Sequence, residues 1–220
     1  MQGGAGFGLA LFAAPLLILI DSRFIPGPML LSALVLTLLM AVRGREAIHV
    51  RGVLWTIVGR VPGVVCGALV LAALPQGELA VLFGALVLIG VVMMVSGLAL
   101  RPQRGTLLVA GALSGFMGTV AAIGGPPIAL VYQRHPGPEL RSTLAGYFVA
   151  GSSMSLLALL FVGRFGRDEL VLSAVLVPGI LIGYAASLRL ARWLDQGRTR
   201  AAVLVVSALS AVLVLVRTLS

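Results

Sequence analysis

The stretch Gly111-Ala112-Leu113-Ser114-Gly115-Phe116-Met117-Gly118-Thr119-Val120-Ala121-Ala122-Ile123-Gly124-Gly125-Pro126-Pro127 decides how this chain must fold. Paired Gly followed by paired Pro remove both the side chains and the backbone donors that a helix needs to continue. Apolar sequence flanks the interruption on both sides, which places it at membrane depth. Broken backbone survives there only where protein or a water-filled cavity satisfies the freed groups. The helix end so created presents free N–H groups and a partial positive charge, which suits an anion. The competing reading makes Gly111-x-x-x-Gly115 a helix-packing face followed by a simple kink.

Outward from this stretch the chain keeps the same character. Of its 220 residues 60% are apolar and only 10% charged, with a mean hydropathy of +1.12. A soluble domain carries about 25% charged residues, so the solvent for most of this surface must be lipid. Apolar runs occupy about 3–20, 28–42, 52–74, 79–100, 106–132, 142–162, 169–190 and 199–219. In lipid they must be helices, and the loops between them are too short for a soluble domain. The expectation is an all-α polytopic membrane protein forming one transmembrane domain over 1–220.

The remaining composition excludes several classes. Cys66 is the single cysteine, so there is no disulfide framework and no metal cluster, and it reads as a small buried packing residue. All 16 Lys+Arg positions are Arg, a bias that a GC-rich genome also produces. All but Arg60 sit at or near span ends, so the net charge of +9 reads as cytoplasmic anchoring and not as a nucleic-acid footprint. No cationic segment precedes Gly3–Ile20, so no cleaved signal peptide is expected. His49 and His135 fall in loops, the spans hold no Asp or Glu of the kind found in many proton-driven pumps, and nucleotide- and metal-binding patterns are missing. No enzyme, cofactor or metal is expected.

The chain repeats itself. Val61-Pro62-Gly63-x-x-x-Gly67 recurs as Val177-Pro178-Gly179-x-x-x-Gly183, an offset of 116 residues, and Gly6-Phe7-Gly8 loosely matches Gly124-Gly125-Pro126. Duplication with repeats at about 1–104 and 105–220 follows, and Pro62, Gly63, Pro178 and Gly179 become candidate hinges. Arginine placement then tests the topology. If all eight runs cross, the flanking arginines divide almost evenly between the two faces. If instead 106–132 enters and returns, turning at Gly124–Pro127, eleven share one face. These are Arg43, Arg45, Arg51, Arg101, Arg104, Arg134, Arg141, Arg189, Arg192, Arg198 and Arg200; only Arg23, Arg164, Arg167 and Arg217 lie opposite. The positive-inside rule favours this second arrangement over seven to eight full spans. Each half is then a broken, re-entrant helix plus three spans, and the halves insert in opposite senses, an inverted repeat.

Arg60 is the one charged residue deep in a run, nine residues into 52–74. A charge at that depth costs about 2.5–3.5 kcal/mol on insertion scales. No carboxylate lies inside the spans to pair with it, so a transported anion could be its partner. It could also snorkel to the interface or bond carbonyls freed by a kink. Ser114, Thr119, Gln133, Thr143, Ser152, Ser153 and Ser155 could complete an oxyanion cage. Ser114 and Thr119 are favoured as nearest in sequence to the break.

Ile123-Gly124-Gly125-Pro126-Pro127 after a Gly-rich helix, with Tyr132 and Arg141 downstream, resembles the second-half signature of the sulfite exporter TauE/SafE family. Gly4-Ala5-Gly6-Phe7-Gly8-x6-Pro15 resembles its first-half signature. The resemblance covers essentially the whole chain and implies a bacterial inner-membrane transporter that exports sulfite, sulfonates or related anions. It carries over Gly6, Phe7, Gly8 and Pro15, and Gly124, Gly125, Pro126 and Pro127, as two helix breaks flanking a central site. In one respect the chain departs: members usually have an apolar helix before the first Gly motif. The partners implied are a small anionic solute and the lipid bilayer, and a homo-oligomer is compatible with the pattern. The alternative function is a membrane scaffold or accessory subunit that moves nothing.

Overall fold

The computed structural model describes residues 5–44, 50–132, 137–190 and 196–219, with side chains described for 13–42, 52–75, 77–132, 143–186, 204–214 and 216. Every regular element among them is helical. In chain order these are α1 (Ala5–Ile20), α2 (Gly27–Gly44), α3 (Val50–Ala73), α4 (Gln76–Val95), α5 (Arg104–Ala121), α6 (Gly125–Tyr132), α7 (Gly137–Phe161), α8 (Arg167–Leu190) and α9 (Gln196–Leu219). Among the described residues five contain an apolar stretch long enough to cross a membrane: Gly52–Ala73, Gly77–Val95, Arg104–Ala121, Thr143–Phe161 and Arg167–Ala186. Outward-facing Val58, Val61, Val65 and Leu69 on α3, and Leu157 and Leu160 on α7, are exposed, which suits side chains whose solvent is lipid. The chain is a multi-pass membrane protein.

Local chemistry sets the helix ends. Gly97, at φ +64°, takes the chain out of α4. At the start of α5 the Gln103 N–H donates to Thr106 Oγ1 at 2.9 Å, tying down one of the groups a helix end leaves free. Between α1 and α2, Asp21 pairs with Arg23 at 2.7 Å, and hydrogen bonds from Arg23 hold its carboxyl below the usual carboxylate range.

Directions follow from side-by-side pairs. α3 and α5 are parallel, because Gly59 sits against Leu108, Gly63 against Ala112, and Gly67 against Phe116 and Thr119. α3 and α7 are parallel as well. Val53 clusters with Leu144 and Tyr147, Arg60 reaches Tyr147 and Ser155, and Arg164 beyond α7 donates to the Leu74 carbonyl beyond α3. The consecutive long helices α5 and α7 therefore point the same way, so the chain between them must turn back. Helix α6 does so. Gly124 lies against Ser114, the Tyr132 hydroxyl lies 3.5 Å from Thr56 Oγ1, and the Leu130 carbonyl accepts from Leu100 N, ahead of α5. The hairpin expected for 106–132 is present in this geometry, and a single crossing by that run is not compatible with it.

One expectation is corrected. Cys66 is exposed, not a buried packing residue. The buried stripe of α3 is Gly59, Gly63 and Gly67, and Cys66 lies about 100° round the helix from Gly67. Helix α1 runs from Ala5 through Gly6, Phe7, Gly8 and buried Pro15 to Ile20. Its first turn carries the glycines, as the start of α6 carries Gly125-Pro126-Pro127. A break matching Gly124–Pro127 would fall ahead of Ala5, outside the described residues; after Ile20 the chain makes a 3-10 turn over Ser22–Phe24.

The candidate hinges lie in unlike settings. Pro62 and Pro178 are each inside a continuous helix. Gly63 is packed against α5, whereas side chains added at Gly179 or Gly183 would meet nothing within 4 Å. Only 6% of the apolar stretch of α8 is buried, against 44% for α3.

Candidate functional site

The site begins with helix packing. Gly59, Gly63 and Gly67 on α3 pack on α5, Gly111 and Gly115 on α5 pack on α3, and a side chain at Gly59, Gly63 or Gly111 would run into the backbone of the facing helix. Such approach is available only to small residues. Gly111-x-x-x-Gly115 is therefore a packing face, as the competing reading held. The same approach delivers Arg60 to the helix break, so the two readings are parts of one arrangement.

Arg60 is 1% exposed and does not snorkel. Nη1 donates to Ser114 Oγ at 3.0 Å and to the Tyr147 hydroxyl at 3.0 Å, and Nη2 donates to Ser155 Oγ at 3.3 Å. Its Cζ lies 5.2 Å from the Tyr147 ring centroid, within cation–π range. Nε is buried with no partner. Ser114 passes the chain of bonds on, donating to the Gly124 carbonyl at 2.6 Å. Thr119 and Ser155 share a 2.8 Å hydrogen bond. A carbonyl freed by the Gly-Gly-Pro-Pro break is thus satisfied through a serine that also accepts from Arg60.

Glycines wall the guanidinium. A side chain at Gly151 would come within 2.5 Å of Cζ, one at Gly118 within 2.9 Å of Nη2, and one at Gly124 within 3.4 Å of Nη1. Three helices and the break therefore close on one cation. Among the described residues no carboxylate is hydrogen-bonded or ion-paired with it; the ion pair found is Arg23–Asp21, at a helix end. A cation taken out of water without a partner costs several kcal/mol. Neutral hydroxyls lower that cost but supply no countercharge.

Of the residues proposed from sequence, Arg60, Ser114 and Gly124 meet directly, and Thr119 joins through Ser155. Gly125, Pro126 and Pro127 are buried at the start of α6. The two prolines lack N–H groups, so this helix end offers fewer donors than an ordinary one. Pro15 is buried in α1, while the side chains of Gly6 to Gly8, Gln133 and Arg141 lie outside the described residues. Ser153 turns away, donating to its own helix at Val149 O.

Sequence reasoning missed Tyr147 and Gly151 and ranked Ser155 low. The signal was there: Thr143, Tyr147, Gly151 and Ser155 recur every four residues, a polar and small stripe down one face of an apolar helix.

The family model for Sulfite exporter TauE/SafE matches residues 1–214. The chain belongs to the sulfite exporter TauE/SafE family. No curated protein and no solved structure matches it. TauE/SafE membership implies transport of sulfite or a related anion across a membrane.

Proposed function

We propose that this protein exports a small sulfur-containing anion, such as sulfite or an organosulfonate, across a bacterial inner membrane, with Arg60 as the central contact. One observation carries the reading: a guanidinium 1% exposed whose described partners are all neutral hydroxyls and whose Nε is unpartnered. Intramembrane arginines are retained where they serve a pathway or ligand. Ser114, Tyr147 and Ser155 hold the guanidinium in place, and Gly151 covers it. The arrangement is then an occluded one, and alternating access requires α7 to move relative to α3 and α5.

The duplicated plan supports this movement. If α1–α4 correspond to α6–α9, the contact of α2 with α8 is mirrored by that of α7 with α3, and that of α1 with α9 by that of α6 with α4. α2 meets α7, and α4 meets α9, across the relation. Rocking of such related halves about a fixed site is a common transport plan. Pro178-Gly179, in a helix that buries little, is where bending would be least opposed, whereas Pro62-Gly63 is held against α5.

Flux in proteoliposomes tests the function. Wild-type protein should carry labelled sulfite or methanesulfonate, and Arg60→Gln should abolish the flux while remaining monodisperse and helical. A variant that keeps full flux removes Arg60 from the site. If the wild type carries no anion, the scaffold reading takes its place.

A further inference from the structure

We infer that the site selects for a single negative charge: it takes monoanions and rejects dianions of similar size and shape. This rests on the anion-site reading of Arg60 and adds the charge state of the occupant.

The argument is one of charge balance. Arg60 is the one formal charge in the cluster built by α3, α5, α7 and the α5–α6 break, because its described partners Ser114, Tyr147 and Ser155 are neutral. Carboxylates stand elsewhere. Glu78 is in the first turn of α4, and Asp168 and Glu169 are in that of α8. Asp21 is taken by Arg23. Glu139 stands near the start of α7, twelve residues before Gly151, about 18 Å along a helix. Glu46 and Asp195 lie between apolar runs in the sequence. No second cation reinforces Arg60 either, since the other arginines all lie at or beyond the ends of the apolar runs.

Bringing in one negative charge returns the cluster to neutrality. A dianion leaves it with a net negative charge, which carries a desolvation cost comparable to that of the unpaired cation. The hydroxyls cannot repair this, because their protons are committed in part: Ser114 donates to the Gly124 carbonyl, and Thr119 and Ser155 share one bond. Arg60 keeps matching capacity for one oxyanion. Of the five N–H donors of a guanidinium, three are used by the hydroxyls, and Nε is among those left over. Two adjacent donors fit two oxygens of one sulfonate or hydrogen sulfite.

The titratable side chains packed around this cluster are Tyr147 on α7 and Tyr132, on α6, which contacts Thr56; α5 contributes none among its buried residues. A pH effect that follows the ligand's charge can therefore be separated from one that follows the protein by using a ligand whose charge is fixed.

The test is competition for flux in proteoliposomes of the full chain. Methanesulfonate is a monoanion throughout the working range, sulfate a dianion, and sulfite passes from one to the other near neutral pH. The expected result is methanesulfonate competing at least tenfold better than sulfate, with no pH dependence, and sulfite competing better as pH falls. Sulfate competing as well as methanesulfonate, or sulfite improving as pH rises, overturns the inference while leaving an anion site in place. If none of the three competes and none is carried, the anion-site reading itself fails, and the selectivity with it.

Discussion

Replacing Gly151 by Ala is the sharpest probe of how the cation is held. The added Cβ would lie 2.5 Å from Arg60 Cζ, 2.6 Å from Nε and 2.8 Å from Nη1. Comfortable carbon–carbon contact is about 3.5–4.0 Å, so the guanidinium must retreat by about 1 Å. The two Nη1 hydrogen bonds, at 3.0 Å, cannot lengthen that far and survive. Bonds from a charged donor contribute about 1.5–3 kcal/mol each, which caps the loss near 3–6 kcal/mol. A small retreat of α7 and the better helix propensity of Ala, worth about 0.5–1 kcal/mol, bring the expected destabilisation to about 2–4 kcal/mol. Denaturation in detergent, followed by the loss of helical signal, measures it. A double-mutant cycle sharpens the test: in an Arg60→Met background the clash with the guanidinium disappears, so the cost of Gly151→Ala should fall by about 2 kcal/mol or more. Additive effects, or a Gly151→Ala protein as stable as wild type, would refute the packing of Gly151 on Arg60.

Other expectations follow from the same structure. Gly63→Ala drives a methyl group into the Ala112 carbonyl and the Phe116 amide, rigid backbone on α5, and should cost about 2–4 kcal/mol by forcing apart helices that meet closely. Gly179→Ala, its counterpart in α8, meets nothing within 4 Å and should be neutral or stabilising by up to about 1 kcal/mol; equal losses at the two sites would contradict the asymmetry between α3 and α8. Ala122 holds a left-handed φ of 58° at the end of α5, so Ala122→Gly should raise stability by up to about 1 kcal/mol, and a fall would show that the methyl group matters more than the backbone. With Cys66 replaced, single cysteines at Gln103 and Gly137 should react with an impermeant reagent from the same face of the membrane, because α5 and α7 run parallel. Labelling from opposite faces would remove the hairpin.

Much of this architecture is legible in the sequence. The spans follow from the shortage of charge, and the hairpin at 106–132 follows from where the arginines fall, because a single crossing there would have left no bias between the faces. Arg60 was visible as a charge without a partner inside an apolar run. Its surroundings were harder to see. Tyr147 and Ser155 lie 87 and 95 residues from Arg60, and only the parallel packing of α7 on α3 brings them together. Gly151 could not be recognised as a wall until the guanidinium beneath it was placed. The one failure has a physical cause too. Cys66 was assigned to the interior by residue type, although the stripe of glycines four residues apart defines the buried face and puts Cys66 outside it. The break expected at the first glycine motif falls, by analogy with the start of α6, ahead of Ala5, outside the described residues.

The central claim is that an anion rests on Arg60 between α3, α5 and α7, and anomalous scattering from a bound bromomethanesulfonate tests it most directly. Crystals of the wild-type protein grown with that ligand should show a bromine peak placing the sulfonate within hydrogen-bond reach of the Arg60 guanidinium, and the peak should vanish in Arg60→Gln. A peak elsewhere in the protein, with Arg60 still bonded only to Ser114, Tyr147 and Ser155, would contradict it.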